Sequence, residues 1–353
     1  MIPRVVNSLR AGRPFKFDNG QSALKWTIGL GTVAVAAATA TGFMYHNRTE
    51  ELSQNKFIKY RVSYNKPIDQ DHFFLELSPL KRQKTNIWTD FGANKLWSVE
   101  VKQPQIMVAR SYTPLPLEHT GNDQLRVLSN NDFGEGKLFF YIKRYSNGEV
   151  ARWLSGLPVD HIVEIRGPYA DYVFPNLDED DTVGCDRRFL MEEGDSWSCN
   201  AQYLHRPFDI SMFTAGTGIV TALQLALKPN PFQGNIMLFH SCGNLLELGP
   251  LANFLIKLQL HGKLQLHLFE SQKNTDLRSN IQQTLSMIPP PSVYDPEAPF
   301  ENRDQFMPVL SLVCGSSGYI STVAGPMHSL EQGPVEGLLK QREWTDENVY
   351  KLN

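Results

Sequence analysis

Between residues 57 and 172 apolar and polar side chains alternate in short runs, FIKYRVSY, HFFLELS, LWSVEVK, IMVARSYT, KLFFYIKR and HIVEIRG, separated by turn-forming residues. A period of two puts one set of side chains on one face of an extended chain, so each run predicts a strand with one buried face. Their regular succession predicts an antiparallel β-barrel. One helix interrupts the series over residues 149–157, just after the Asn147-Gly148 turn. From residue 207 the pattern changes: the apolar strands FDISMFTAG, NIMLFHS, LQLHLFES and LSLVCG alternate with helical stretches at 219–227, 248–261, 277–287 and from 319 onward. Strand, helix, strand in that order requires parallel pairing through crossover helices, hence an α/β doubly wound sheet.

Upstream of both halves, residues 26–45 (WTIGLGTVAVAAATATGFMY) run without a charge, which matches the roughly 20 residues that cross a bilayer core. Trp26 and Tyr45 stand at its ends as interfacial anchors would. Residues 1–25 carry five Arg and Lys against one Asp, the composition of a mitochondrial presequence. The expected order is therefore presequence 1–25, single transmembrane helix 26–45, linker 46–56, barrel domain 57–175, acidic linker 176–206 and α/β domain 207–353. With the basic end on the matrix side, everything after His46 would face the intermembrane space. The Ala, Gly and Thr content of the apolar stretch leaves peripheral attachment, or a buried helix after a basic tail, as the alternative. The acidic linker has eight acids and two bases between residues 176 and 205, and the Pro-rich stretch 289–299 predicts a surface loop.

Charge and cysteine content then narrow the chemistry. Over 353 residues, 34 Lys and Arg face 37 Asp and Glu, a net charge of −3, so no basic footprint for nucleic acid exists. Four cysteines, Cys185, Cys199, Cys242 and Cys314, are too few and too scattered for a disulfide scaffold, a zinc ribbon or an iron–sulfur cluster. The histidines show no metal-binding spacing, and no metal site is expected.

Three segments carry candidate chemistry. In Arg110-Ser111-Tyr112-Thr113-Pro114 a strand ends with a guanidinium and a ring at i and i+2, followed by a hydroxyl. A forked cation suits a diphosphate, a ring suits stacking, and a hydroxyl can bond a heteroaromatic nitrogen. In Ala215-Gly216-Thr217-Gly218-Ile219 an apolar strand enters a Gly-containing turn and a helix start, where a backbone can meet phosphate. Val313-Cys314-Gly315 repeats this design at the end of the fourth strand of the second half. Each piece has a bland reading as an ordinary strand end, turn or buried thiol.

Together, in order and spacing, the pieces resemble the ferredoxin–NADP reductase superfamily and within it the NADH–cytochrome b5 reductase branch. Its flavin motif R-x-Y-[ST] is matched by Arg110, Tyr112 and Thr113, and V-I-K-x-Y by Tyr141 to Tyr145, including Lys143 and Tyr145. The phosphate turn G-x-M-S is similar to Gly148-Glu149-Val150-Ala151, G-P-x-G to Gly167-Pro168-Tyr169-Ala170, and the closing V-[YF]-K-F to Val349-Tyr350-Lys351-Leu352. The resemblance implies FAD as cofactor, Arg110 on its diphosphate, Tyr112 beside the flavin and Thr113 at its N5 edge. It implies NADH or NADPH on Gly216, Thr217, Gly218 and Gly315, with Cys314 bordering the nicotinamide. Thr113 and Cys314 are thus the expected catalytic residues.

The departures also point somewhere. Ala151 replaces the family's Ser, Val220-Thr221 and Ser316 replace parts of its nucleotide motifs, and His240-Ser241-Cys242-Gly243-Asn244 lacks the acid that binds an NADH ribose. GEVARWL and MFTAGTGIVTALQLAL resemble a mitochondrial inner-membrane branch that serves cytochrome c biogenesis. That resemblance implies reduction of haem iron before its attachment to apocytochrome c by cytochrome c haem lyase. An ordinary NADH–cytochrome b5 reductase and a flavin-bearing scaffold without nucleotide turnover are the alternatives.

Overall fold

In the computed structural model the described residues are 50–174, 208–294 and 306–352, apart from 82, 93, 129–133, 229–233, 329 and 330. The expected presequence, membrane segment and acidic linker, with Cys185 and Cys199, lie outside them. Among the described residues no helix is long and apolar enough to cross a membrane.

Alternation becomes burial directly in β1 (Ile58–Pro67), where Ile58, Tyr60 and Val62 are buried and Lys59 and Arg61 are exposed. With β2 (His72–Pro79), β3 (Lys95–Gln103), β4 (Val108–Tyr112), β7 (Leu138–Lys143) and β8 (Ile162–Val173) it forms one antiparallel sheet in the order β4-β3-β8-β1-β2-β7. The expected barrel is corrected to a curled sheet. Its edge strands β4 and β7 do not pair, and Leu115, just beyond β4, makes a single bridge to Phe139 through its N–H at 2.7 Å. Pro114 and Pro116 flank Leu115 and have no N–H to donate, so the ladder cannot continue. β5 (Leu117–His119) and β6 (Leu125–Val127), which the alternation did not predict, pair as a short hairpin after these prolines. The expected strand IMVARSYT begins only at Val108, because Ile106 and Met107 form the preceding turn, with Met107 at φ 54°. α1 (Glu149–Ser155) is the one expected helix of this half, and its buried Val150, Ala151 and Leu154 pack into the sheet's interior.

The second half is a parallel sheet in the order β11-β10-β9-β12-β13. Its strands are β9 (Asp209–Ala215), β10 (Ile236–Cys242), β11 (Leu264–Glu270), β12 (Pro308–Cys314) and β13 (Val349–Leu352). Two helices, α2 (Ile219–Ala226) and α3 (Leu251–Leu260), share one core with one face of the sheet. α5 (Ser317–Ala324) and α6 (Gly337–Lys340) pack on the other face, where α4 (Ile281–Met287) also contributes Leu285 and Met287. The arrangement is doubly wound. α3 starts later than expected because Pro250 is its N-cap, and α4 starts at the Asn280 cap, whose side chain accepts from the Gln283 N–H at 3.1 Å.

Residues Thr49–Asn353 form one compact unit, and the contacts explain why. Phe74, Leu96, Phe139 and Phe174 of the curled sheet share a buried cluster with Ile210, Met212, Leu223 and Leu312 of the α/β half. Gln224 of α2 is fully buried and spans the seam: its amide donates to Trp97 O at 2.9 Å and Pro114 O at 2.8 Å and accepts from Trp97 N–H at 2.9 Å. Lys228, also buried, donates to Gly92 O at 2.7 Å and to Lys95 O. At the far edge Lys351 of β13 is buried with its ammonium donating to the carbonyls of Pro326, Gln332, Gly333 and Pro334.

Candidate functional site

Strand order across the parallel sheet reverses between β9 and β12, and such a switch point opens a crevice at the carboxyl ends of the strands. Facing it are the end of β4, the end of β7 and the start of α1. These elements line a cleft of about 510 Å3.

On the curled-sheet wall, Arg110, Tyr112 and Thr113 line the cleft together. Arg110 is exposed, and among the described residues its guanidinium meets no carboxylate; it donates only to Ala109 O at 3.0 Å. Tyr112 lies two residues on, with its ring edge-on to Phe140 at 6.4 Å and its phenol pKa raised by burial. Lys143 ends β7 and Tyr145 follows it, both lining the cleft, with the ammonium 5.7 Å from the centre of the Tyr145 ring. Gly148, Glu149, Val150 and Ala151 complete this wall. Gly148 is the N-cap of α1 and no side chain caps the helix, so the first-turn N–H groups remain available to an anion. An exposed guanidinium and an uncapped helix start on one cleft wall fit a diphosphate.

Thr217, Gly218, Cys314 and Gly315 come from the α/β wall. Gly216 does not line the cleft; it forms the turn at φ +54°, with open space where a Cβ would lie. Gly218 and Gly315 have a steric task, since each lets the ends of β9 and β12 pack closely. A Cβ at Gly218 would lie 2.7 Å from Cys314 O, and one at Gly315 would lie 3.0 Å from the Ala215 Cβ. A Gly218→Ala variant must therefore push backbone apart at the switch point. It is expected to lose roughly 1–3 kcal/mol of stability, read as a lower denaturation midpoint, with weaker ligand binding in the cleft. Cys314 is a thiol and not a thiolate: burial pushes its pKa up to about 12, partly opposed by the Thr221 hydroxyl and reinforced by Asp171.

Asp171, in β8, and Thr221, in α2, also line the cleft, and sequence reasoning missed both. The Ser98 hydroxyl donates to Asp171 Oδ1 at 2.8 Å. Burial pushes the Asp171 carboxyl up to about 6, with Ser98 opposing. A raised carboxyl pKa means the folded state keeps a proton that the unfolded chain releases near pH 4. The resulting loss of stability is absent below about pH 4, grows as the pH rises and is complete above about pH 6. An Asp171→Asn variant is thus expected to be more stable than the parent by about 3 kcal/mol at pH 8 and no more stable at pH 4. Denaturant midpoints at the two pH values decide it.

Beyond β10, the strand end at which dinucleotide-binding sheets carry an acid for a ribose, two carboxylates lie close together, Glu247 and Glu270. Both are engaged by the protein itself. Glu247 accepts from the Asn244 N–H at 3.2 Å in a capping box, and Glu270 accepts from the Leu245 N–H at 2.9 Å and pairs with Lys273 at 2.5 Å. Lys273 and the Leu245 N–H hold the Glu270 carboxyl below its usual range. Tyr141 of β7 ties this turn to the curled sheet by donating to Glu247 O at 3.1 Å.

Residues 76–174 match the family described as oxidoreductase FAD-binding domain. The chain is 48% identical over 313 residues to the cytochrome c mitochondrial import factor CYC2 of Saccharomyces cerevisiae, covering 86% of this chain and 84% of that protein. It belongs to the CYC2 family. A more distant relative of this CYC2-family chain is NADH-cytochrome b5 reductase 2 of Debaryomyces hansenii, 23% identical over 338 residues and 92% of both chains. Among solved structures, a flavohemoglobin from Malassezia yamatoensis with bound FAD and heme superposes with a TM-score of 0.50 at 13% identity, over 85% of this chain and 61% of that one. The Amycolatopsis cytochrome P450 reductase GcoB gives a TM-score of 0.50 at 15% identity, over 84% and 69%. These two likenesses concern the fold. With the FAD-binding family match on the curled sheet, FAD is the cofactor of this CYC2-family chain, and the cleft wall that fits a diphosphate is where its residues would hold it.

Proposed function

We propose that this protein is a mitochondrial inner-membrane FAD oxidoreductase of c-type cytochrome biogenesis. It reduces haem iron before cytochrome c haem lyase attaches the haem to apocytochrome c, with electrons from NADH or NADPH. The observation that supports this most is that one cleft gathers Arg110, Tyr112, Thr113 and the α1 start against the paired ends of β9 and β12. The family relation to a cytochrome c mitochondrial import factor supports a place in cytochrome c biogenesis.

In this reading residues 57–175 are the FAD-binding domain and residues 207–353 the nucleotide-binding domain. Flavin, when bound, accepts two electrons as a hydride and releases them singly, as a nicotinamide donor and a ferric acceptor require. Arg110 and the backbone N–H groups of Glu149, Val150 and Ala151 would hold the diphosphate, and Tyr112 and the Thr113 hydroxyl would meet the flavin. Lys143 and Tyr145 close the rim. Thr217, Gly218 and Gly315 would shape the nicotinamide nucleotide's place, with Gly216 forming only the turn that leads into them, and the protonated Cys314 would border it without acting as a nucleophile. Residues 1–25 act as the address and 26–45 as the anchor, with the domains in the intermembrane space. There the acidic stretch at 176–205 steers a basic partner such as apocytochrome c.

Reconstitution tests this reading. Haem lyase, apocytochrome c and ferric haem, kept anaerobic with NADH or NADPH, are expected to yield covalent cytochrome c only when this protein is added, while dithionite removes the requirement. A yield independent of the protein defeats the proposal. One observation favours a second reading, a flavin-bearing scaffold without nucleotide turnover: Glu247 and Glu270 both serve their own backbone and leave no carboxylate for a ribose beside β10 among the described residues.

A further inference from the structure

Each hydride brings two electrons and one proton into the cleft, but ferric haem takes electrons only. The balance is one NAD(P)H and two ferric haems giving one NAD(P)+, two ferrous haems and one proton. The C–H bond of the dihydronicotinamide breaks, its electron pair ends as one electron on each iron, and the proton must leave. A guanidinium, an ammonium and backbone N–H groups, such as those of Arg110, Lys143 and the start of α1, are donors with no lone pair for a proton, so the receiver has to be another group.

We propose that Asp171 is the proton acceptor of this cleft, taking that proton on Oδ2 and passing it to water at the cleft mouth; the proposal rests on the haem-reductase reading above. Asp171 lines the cleft from β8, beside the α/β wall. Ser98 of β3 fixes the carboxylate by donating to Oδ1, which leaves Oδ2 without a partner among the described residues. The titratable group facing it is Cys314 of β12, itself bonded to Thr221 of α2, and no cation of the described residues pairs with Asp171. The alternatives along the cleft serve less well. Burial raises the pKa of the Cys314 thiol and of the Tyr112 and Tyr141 phenols, so none of these is deprotonated near neutrality. Glu149 stands exposed at the helix start that cradles the anion. A carboxyl near 6, held by one hydroxyl and open on its other oxygen, can both take and release a proton at neutral pH.

The test uses the full chain loaded with FAD, titrated anaerobically with dithionite only to full flavin reduction so that no reductant remains, and mixed with ferric haem from about pH 5 to about pH 8. In the parent, haem reduction is expected to rise with the deprotonation of one group near pH 6. Asp171→Asn should be about 10²-fold slower and flat with pH, and added formate should restore part of the rate to Asp171→Ala, whose missing carboxylate leaves it room. A second readout does not depend on turnover: the oxidised-minus-reduced infrared spectrum of the parent should contain a carboxylic-acid carbonyl band that shifts in heavy water and is missing in Asp171→Asn. A variant that keeps the parent's rate, pH profile and carbonyl band overturns the assignment of Asp171 alone. A parent that takes up no FAD, or whose reduced flavin does not reduce haem, overturns the functional reading and this proposal with it, before any variant is made.

Discussion

An Arg110→Ala variant is expected to leave gel filtration nearly colourless, with a fold as stable as the parent apoprotein. Arg110 is exposed on the edge strand β4, and its only bond among the described residues is to the neighbouring Ala109 carbonyl. Removing it should therefore cost the fold no more than about 0.5 kcal/mol. The diphosphate loses much more. A guanidinium makes charge-assisted bonds worth roughly 1.5–3 kcal/mol each, and a fork usually makes two. Losing about 3 kcal/mol weakens FAD by about 10²-fold. Arg110→Lys keeps the charge but not the fork, so it should fall between the two. The flavin-to-protein ratio after gel filtration and the melting temperature of the apoproteins are the two readings. A colourless variant that has also lost its melting temperature would assign Arg110 to the fold and not to the cofactor.

Gln224→Leu is expected to damage the fold strongly although the residue lies outside the cleft. The substitution keeps the volume of the side chain but strands Trp97 N–H, Trp97 O and Pro114 O in the seam between the two halves. Each buried, unpaired group costs roughly 1–3 kcal/mol, so the total is about 4 kcal/mol. For a unit of this size, about 2 °C per kcal/mol places the loss near 8 °C. Because Pro114 directly follows Thr113, the cleft wall should move as well and FAD should bind less tightly. A thermal melt that matches the parent's would show that the seam is held by apolar burial alone.

How much of this was readable before the structure depends on the residue. The alternation of β1 and the apolar runs of β9, β10 and β12 translate directly into strands, because each buries one or both faces. Arg110, Tyr112 and Thr113 were legible as a set because a guanidinium, a ring and a hydroxyl end one strand together. Asp171 was not. It follows a run in which a lone carboxylate has the pattern of a solvated position, and only the approach of β12 and Ser98 reveals the cleft around it. Gln224 interrupts a mostly apolar helix, and nothing local says that the backbone of the curled sheet will satisfy its amide. Lys228 and Lys351 look like surface charges in sequence yet are buried, because backbone carbonyls gathered from distant segments accept their protons. The open edge of the curled sheet was written in Pro114 and Pro116, whose missing N–H groups stop the ladder.

The most direct test is an anaerobic absorbance series on the purified full chain, with NADH or NADPH added first and ferric haem second. The account predicts a flavin spectrum that bleaches on addition of the nucleotide and returns as the ferrous haem bands appear. A flavin that stays oxidised until dithionite is added would contradict a nucleotide-driven haem reductase and leave the cleft as a flavin-bearing scaffold.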